Sequence, residues 1–176
     1  MFAQQNCLTS LAPLASLPHL DTLNVSANRL QSLDGLDKLP VLTSLQAAGN
    51  SLATLDALEC LPRCALLSSL DVTHNGLDGD GDALLALLAT MPALRALYLS
   101  AGNPVASAVR PYRKRVVAAA RGLVYLDERP VFDAERRGAE AWVQGGEEAE
   151  RAERDKLAVS AHAKRTRPKT ASKKRC

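Results

Sequence analysis

The sequence predicts an α/β solenoid, a stack of short parallel strands whose return segments are mostly 3₁₀ turns, and three features point to it. "LDTLNVSANRLQSLDGLDKLPV" from Leu20 is followed at Leu42 by "LTSLQAAGNSLATLDALECLPR", a period of 22 residues. The unit LxxLxLxxN recurs from Leu67 to Asn75 and, one residue longer, from Leu94 to Asn103. Of 176 residues 47% are apolar but only 3% aromatic, so leucine, alanine and valine must build the core. A fixed period outranks local propensity, because each unit can bury its apolar face only against its neighbours.

Within a unit, alternating leucines point inward from a short strand. The asparagine then satisfies backbone groups opened by the bend, and leucine-spaced residues return along the convex side. This is the short leucine-rich-repeat pattern, with a parallel concave sheet. Asn6, Asn28, Asn50, Asn75 and Asn103 are expected to form a structural ladder inside one edge. Counting back one period from Asn28 lands on Asn6, so the chain is expected to begin inside a truncated first repeat. In the fourth unit Leu84, Leu87, Leu88 and Met91 fall at helical spacing, with Asp82 as cap and Pro92 as stop, so an α-helix is expected there. Its "DGDGD" is not an EF-hand loop, since alanines stand at 83 and 89 where glycine and glutamate are needed.

Residues 1–103 thus read as repeats and 104–132 as a cap. The cap is a helix from near Pro111, with Tyr112, Val116, Ala119 and Leu123 on its core face, followed by a half-strand at "LVYLD". Residues 133–160 read as an exposed charged helix N-capped by Asp133, broken or bent at Gly145 and Gly146, its second half solvated. Trp142 on that helix is expected either to pin it to the last repeat or to anchor a partner. Residues 161–176 read as a disordered basic tail.

Charge is segmented: residues 1–103 carry 4 basic and 9 acidic side chains, 104–132 carry 6 and 2, 133–163 carry 5 and 8, and 164–176 carry 7 and none. The cap's Arg110, Arg113, Lys114, Arg115 and Arg121 read as a hydrated helix face or as a surface for an acidic partner. Cys7, Cys60, Cys64 and Cys176 fit free thiols, because "CLPRC" lacks the two further ligands a zinc site needs. His19, His74 and His162 stand apart from any serine or cysteine nucleophile, and no phosphate-cradling glycine loop occurs. The expectation is a protein that is not an enzyme, with no catalytic residues, cofactor, metal or small-molecule substrate. The absence of a long apolar run or a signal-like start points to no membrane contact and to an intracellular location.

A binding surface is expected on the concave face, where residues flanking the inward leucines project. Asp71, His74, Arg95 and Tyr98 are the candidate protein-contact patch, set against the alternative of an ordinary hydrated sheet face.

The run "GNPV", "PYRKRVV", then "YLD", "RPVF", "AEAW" and "GG" with a trailing acidic helix resembles the cap and following helix of the leucine-rich-repeat axonemal dynein assembly factors, over nearly all of residues 1–160. That resemblance implies a non-enzymatic, monomeric scaffold for preassembly of axonemal dynein arms in the cytoplasm, linked to cilia and flagella. Its implied partners are dynein arm subunits and chaperone and co-chaperone machinery, with nucleic acid not expected. The short basic tail and an extra residue in "LYLSAGNPV" depart from the family pattern, the latter expected to place a bulge in a strand. Two alternatives share the repeat: a ribonucleoprotein scaffold similar to the spliceosomal A-prime protein, and a regulatory subunit of a protein phosphatase.

Overall fold

The computed structural model describes residues 1–166, and the tail expectation lies outside the described residues from 167 onward. Five parallel strands run β1 (Thr22–Asn24), β2 (Ser44–Gln46), β3 (Ser69–Asp71), β4 (Ala96–Tyr98) and β5 (Tyr125–Leu126). The antiparallel β6 (Arg129–Pro130) closes the sheet. Leu23, Leu45, Leu70, Leu97 and Leu126 stand side by side in register and are at most 2% exposed, so one column of leucines runs through the whole stack. Phe2 bridges Asn24 in parallel, placing the first residues as a strand-like edge against β1.

Short 3₁₀ turns at Ala12–Ser16, Leu36–Lys38, Leu55–Leu58 and Leu61–Arg63 form the return side. Leu30, Leu33, Leu36, Leu39 and Leu52 carry it into the core. The fourth unit returns through α1 (Gly81–Ala89), whose N-cap is Asp80 and not Asp82. Asp80 has extended backbone and accepts from the amides of Asp82 and Ala83, while Asp82, already inside the first turn, reaches Arg115. That is the geometry a cap requires, since only the half-in residue can fold its oxygen back over the orphan amides.

The extra residue of the fifth unit, in Leu94–Asn103, makes no bulge within a strand. The β3–β4 register is undisturbed from Ser69↔Ala96 to Asp71↔Tyr98. In other coils the residues after the strand bond to carbonyls two apart, as Ala47 to Asp71 and Gly49 to Thr73. Here Val72 bonds to Tyr98 and His74 to Ala101, so the insertion is absorbed in the following turn.

Beyond Asn103, α2 (Val105–Ala108) precedes α3 (Tyr112–Ala119), which buries Val116 and Val117 against the last coil. Val105, Val109, Ala120 and Leu123 complete this lid. Helix α4 runs Asp133–Thr166, past the expected boundary at 160. The Arg136 amide bonds to the Phe132 carbonyl, so Phe132 occupies the N-cap and Asp133 is the first helical residue. Gly145 and Gly146 have non-helical torsions, Gly146 with φ of 71° and ψ of −156°, and there the chain reverses. The second arm is therefore not solvated along its length: Arg137 bonds Glu153 and Lys114 bonds Glu150, so the arms form a helical hairpin on α3.

Candidate protein-interaction surface

Each of β1 to β4 shows a half-exposed, buried, half-exposed or exposed pattern, so residues flanking the leucine column line the concave face: Thr22 and Asn24, Ser44 and Gln46, Ser69 and Asp71, Ala96 and Tyr98. Parallel pairing sets Asp71 directly beside Tyr98, whose ring lies 5.9 Å from that of Tyr125 on the next strand. Burial, with Tyr125 and the carboxylates of Asp71 and Glu128 nearby, pushes the Tyr98 hydroxyl above its ordinary value. The Asp71 carboxylate accepts from the Thr73 amide and hydroxyl, and the Tyr125 hydroxyl donates to the Glu128 carbonyl. One end of the face thus carries two tyrosines and two carboxylates.

The other two candidate residues do not join this group. Arg95 precedes β4 at the opposite strand end, where its guanidinium donates to the carbonyls of Pro92 and Gly122. His74 sits in the turn with φ of 55°, directly before a ladder asparagine. Gln5, Ala27, Gly49 and Gly102 hold the same slot with φ of 57°, 54°, 65° and 69°. His74 is there because each coil must reverse through a left-handed residue, a role glycine fills without strain. The glycine directly before Asn50 and before Asn103 is a visible signal of that slot. Tyr125 and Glu128, missed from the sequence, follow from the register that places Tyr125 opposite Ala96.

The asparagines themselves bridge coils. Asn75 donates to the carbonyls of Ala47, Val72 and Thr73, and its oxygen accepts from the amides of Asn50 and Leu52. Asn28, Asn50 and Asn103 repeat the scheme in their own coils. Asn6 makes only the local half, to the carbonyls of Ala3 and Gln4, and is exposed.

At the lid the ladder is replaced by charge. Asp127, in the two-residue turn between β5 and β6 with Glu128, has φ of 44°. Its Oδ1 accepts from the amides of Leu99 and Ser100, standing in for a strand carbonyl that no further coil supplies. The Tyr112 hydroxyl and Asp127 Oδ2 are both buried without a well-formed hydrogen bond. Burial, reinforced by the Asp127 carboxylate, pushes the Tyr112 hydroxyl far up. Arg113 donates to both oxygens of Glu135, at 2.5 and 2.9 Å, and to the carbonyls of Leu126 and Pro130, tying α3, the terminal hairpin and α4 together. The Arg113 hydrogen bond holds the Glu135 carboxyl below the usual glutamate range. Arg136 donates to the carbonyls of Val117, Ala120 and Leu123 at the end of α3. So Arg113, Lys114 and Arg115, three of the basic residues that read as a hydrated face, are engaged within the molecule. Trp142 is half-buried with Lys114 Nζ 5.7 Å from its ring, and the fully packed residue of that helix face is Ala139.

Cys60 and Cys64 are buried free thiols, Cys60 pushed up to about 12 chiefly by burial, whereas Cys7 is exposed. Among the described residues no group of three or more histidine, cysteine or carboxylate side chains is placed to hold a metal ion, and no helix is long and apolar enough to cross a membrane.

The chain is 48% identical over 94 residues to the leucine-rich repeat-containing protein ODA7 of Chlamydomonas reinhardtii, covering 53% of this chain and 21% of that protein. It is 44% identical over 103 residues to dynein axonemal assembly factor 1 of Rattus norvegicus, covering 58% of this chain and 16% of that one. Half of this chain is similar to axonemal dynein assembly factors. The matched stretch is shorter than the 160 residues over which the motifs suggest likeness, and the chain spans about a fifth or less of these relatives' length. No family model matches. Among solved structures, the Drosophila melanogaster SNF/U2A′ complex is similar with a TM-score of 0.63 at 22% identity, over 90% of this chain and 85% of that one. The Leptospira interrogans leucine-rich-repeat protein LIC12759 follows with 0.57 at 20% identity, over 71% and 30%. These neighbours establish a leucine-rich-repeat fold, and at such identity the fold alone.

Proposed function

We propose that this chain is a non-enzymatic, monomeric interaction scaffold acting in the cytoplasmic assembly of axonemal dynein arms for cilia or flagella. The observation that carries the reading is the 48% identity to ODA7 and the 44% identity to a dynein axonemal assembly factor, each over about half of the chain. The proposed protein-contact patch is the end of the concave face formed by Asp71, Tyr98 and Tyr125, while His74 serves the adjoining turn and Arg95 the strand start. Tyrosines beside carboxylates suit a partner presenting arginine, which stacks on rings and pairs with carboxylates at once. Dynein arm subunits and their chaperones are the proposed partners.

The test is deletion of the gene in a flagellated cell, followed by rescue with the wild type or with Tyr98→Ala/Tyr125→Ala. Missing arms in axonemal cross-sections, restored by the wild type and not by the folded double variant, is the expected result. Intact arms after deletion would refute the assembly role, and full rescue by the double variant would refute the patch alone.

A further inference from the structure

A second groove lies away from the concave sheet, on the return side, where two kinds of return segment meet. The third coil returns through thin 3₁₀ turns, Leu55–Leu58 and Leu61–Arg63, whereas the fourth returns through α1. An α-helix has a wider radius than a 3₁₀ turn, so α1 stands proud of its neighbour and leaves a step. The step is a groove of about 410 Å³ with Leu55, Ala83, Ala86 and Leu87 as its floor and Asp56 and Glu59 on its rim. Leu55 and Leu87 are only half-buried, and Ala83 and Ala86 are exposed, so apolar surface is left for something to cover. No basic side chain lines the groove. The neighbouring cations are engaged elsewhere, Arg63, next to Pro62 of the lining, with Asp37 and Arg115 with Asp82.

We infer that this groove is a docking site for a basic amphipathic helix of a partner protein, which would lay small aliphatic side chains on the alanine and leucine floor and set lysine or arginine against Asp56 and Glu59. An acidic rim around an apolar trough excludes acidic segments and selects basic ones, and helix-in-groove docking reads such a surface through residues on one face. The site is independent of the concave patch, since it is built on the opposite side of the coils.

The probe is a fluorescent synthetic helical peptide with leucine at i and i+4 positions and lysine elsewhere, its binding to the full chain followed by anisotropy. Asp56→Lys/Glu59→Lys and, separately, Ala86→Arg are each expected to weaken binding by about tenfold or more, as loss of a rim charge pair or a blocked floor would. Both sites are exposed, so folding is checked by unchanged circular dichroism. The control Glu147→Lys/Glu148→Lys makes the same charge change on α4 and is expected to leave binding within about twofold, because distant surface charges are screened. Equal weakening by the control would mean generic charge attraction and overturn the proposal, as would unchanged binding in Ala86→Arg. Concentration-dependent dimerisation abolished by Ala86→Arg would give the groove to a second copy instead, which also overturns it.

Discussion

Between Leu20 and Asn103 the polar contacts that join one coil to the next are mainly uncharged, chiefly asparagine amides meeting backbone groups, with the Arg63–Asp37 pair on the return side as a charged exception. From residue 104 onward they are charged: Arg113 with Glu135, Lys114 with Glu150, Arg137 with Glu153, and Arg136 on the carbonyls of α3. The first scheme propagates because every coil offers its neighbour the same amides and carbonyls at the same height. The second appears where that offer ends, and side chains of unrelated spacing must take over from missing backbone partners. Asp127 shows the exchange on one residue, its carboxylate receiving two amides that another coil would otherwise satisfy.

Breaking the shared core should cost most. Leu70→Ala removes a side chain 2% exposed in the middle of the column and is expected to destabilise by about 2–5 kcal/mol in chemical denaturation, independent of salt. Next is the ladder: Asn75→Ala orphans the amides of Asn50 and Leu52 and several carbonyls, and should cost roughly 3 kcal/mol, whereas Asn6→Ala, exposed and bonded only locally, should cost under about 0.5 kcal/mol. Equal costs for the two would refute the claim that the ladder acts between coils.

The lid differs in its response to pH. Glu135 is held below its ordinary value near 4.5, so its pairing stabilises above that range and is lost as pH falls through the lowered value. Glu135→Gln should therefore cost about 1–2 kcal/mol at neutral pH and progressively less in acid, and the loss should shrink in high salt. The core and ladder variants should show neither trend. The smallest effect expected is a gain: Ala27→Gly relieves a left-handed alanine with φ of 54° and should raise stability by about 0.5–1 kcal/mol in thermal melts. A loss there would mean that the shared turn slot carries no strain.

Much of the concave surface could be read from the repeat. Asp71 and Tyr98 project from equivalent positions of successive units, and pairing puts them side by side. His74 and Arg95 are close to them in sequence but serve the turn and the strand start, a distinction that needs torsions and carbonyl positions. Tyr125 belongs with Tyr98 because "LVYLD" continues the strand register, although the rest of its unit is absent. The cap of α1 was displaced by two residues for a similar reason: both Asp80 and Asp82 have capping chemistry, and only backbone angle selects between them.

The sequence by itself determined the solenoid, its leucine column and the height of each asparagine, because the repeated LxxLxLxxN unit, whatever the length of the return, fixes which residues of neighbouring coils meet. Only the tertiary structure decided that α4 folds back at Gly145 and Gly146 and that Lys114, Arg113 and Arg136 face inward. Those contacts join residues at separations no repeat specifies, and charged side chains with long flexible stems read the same in a sequence whether water or a carboxylate receives them.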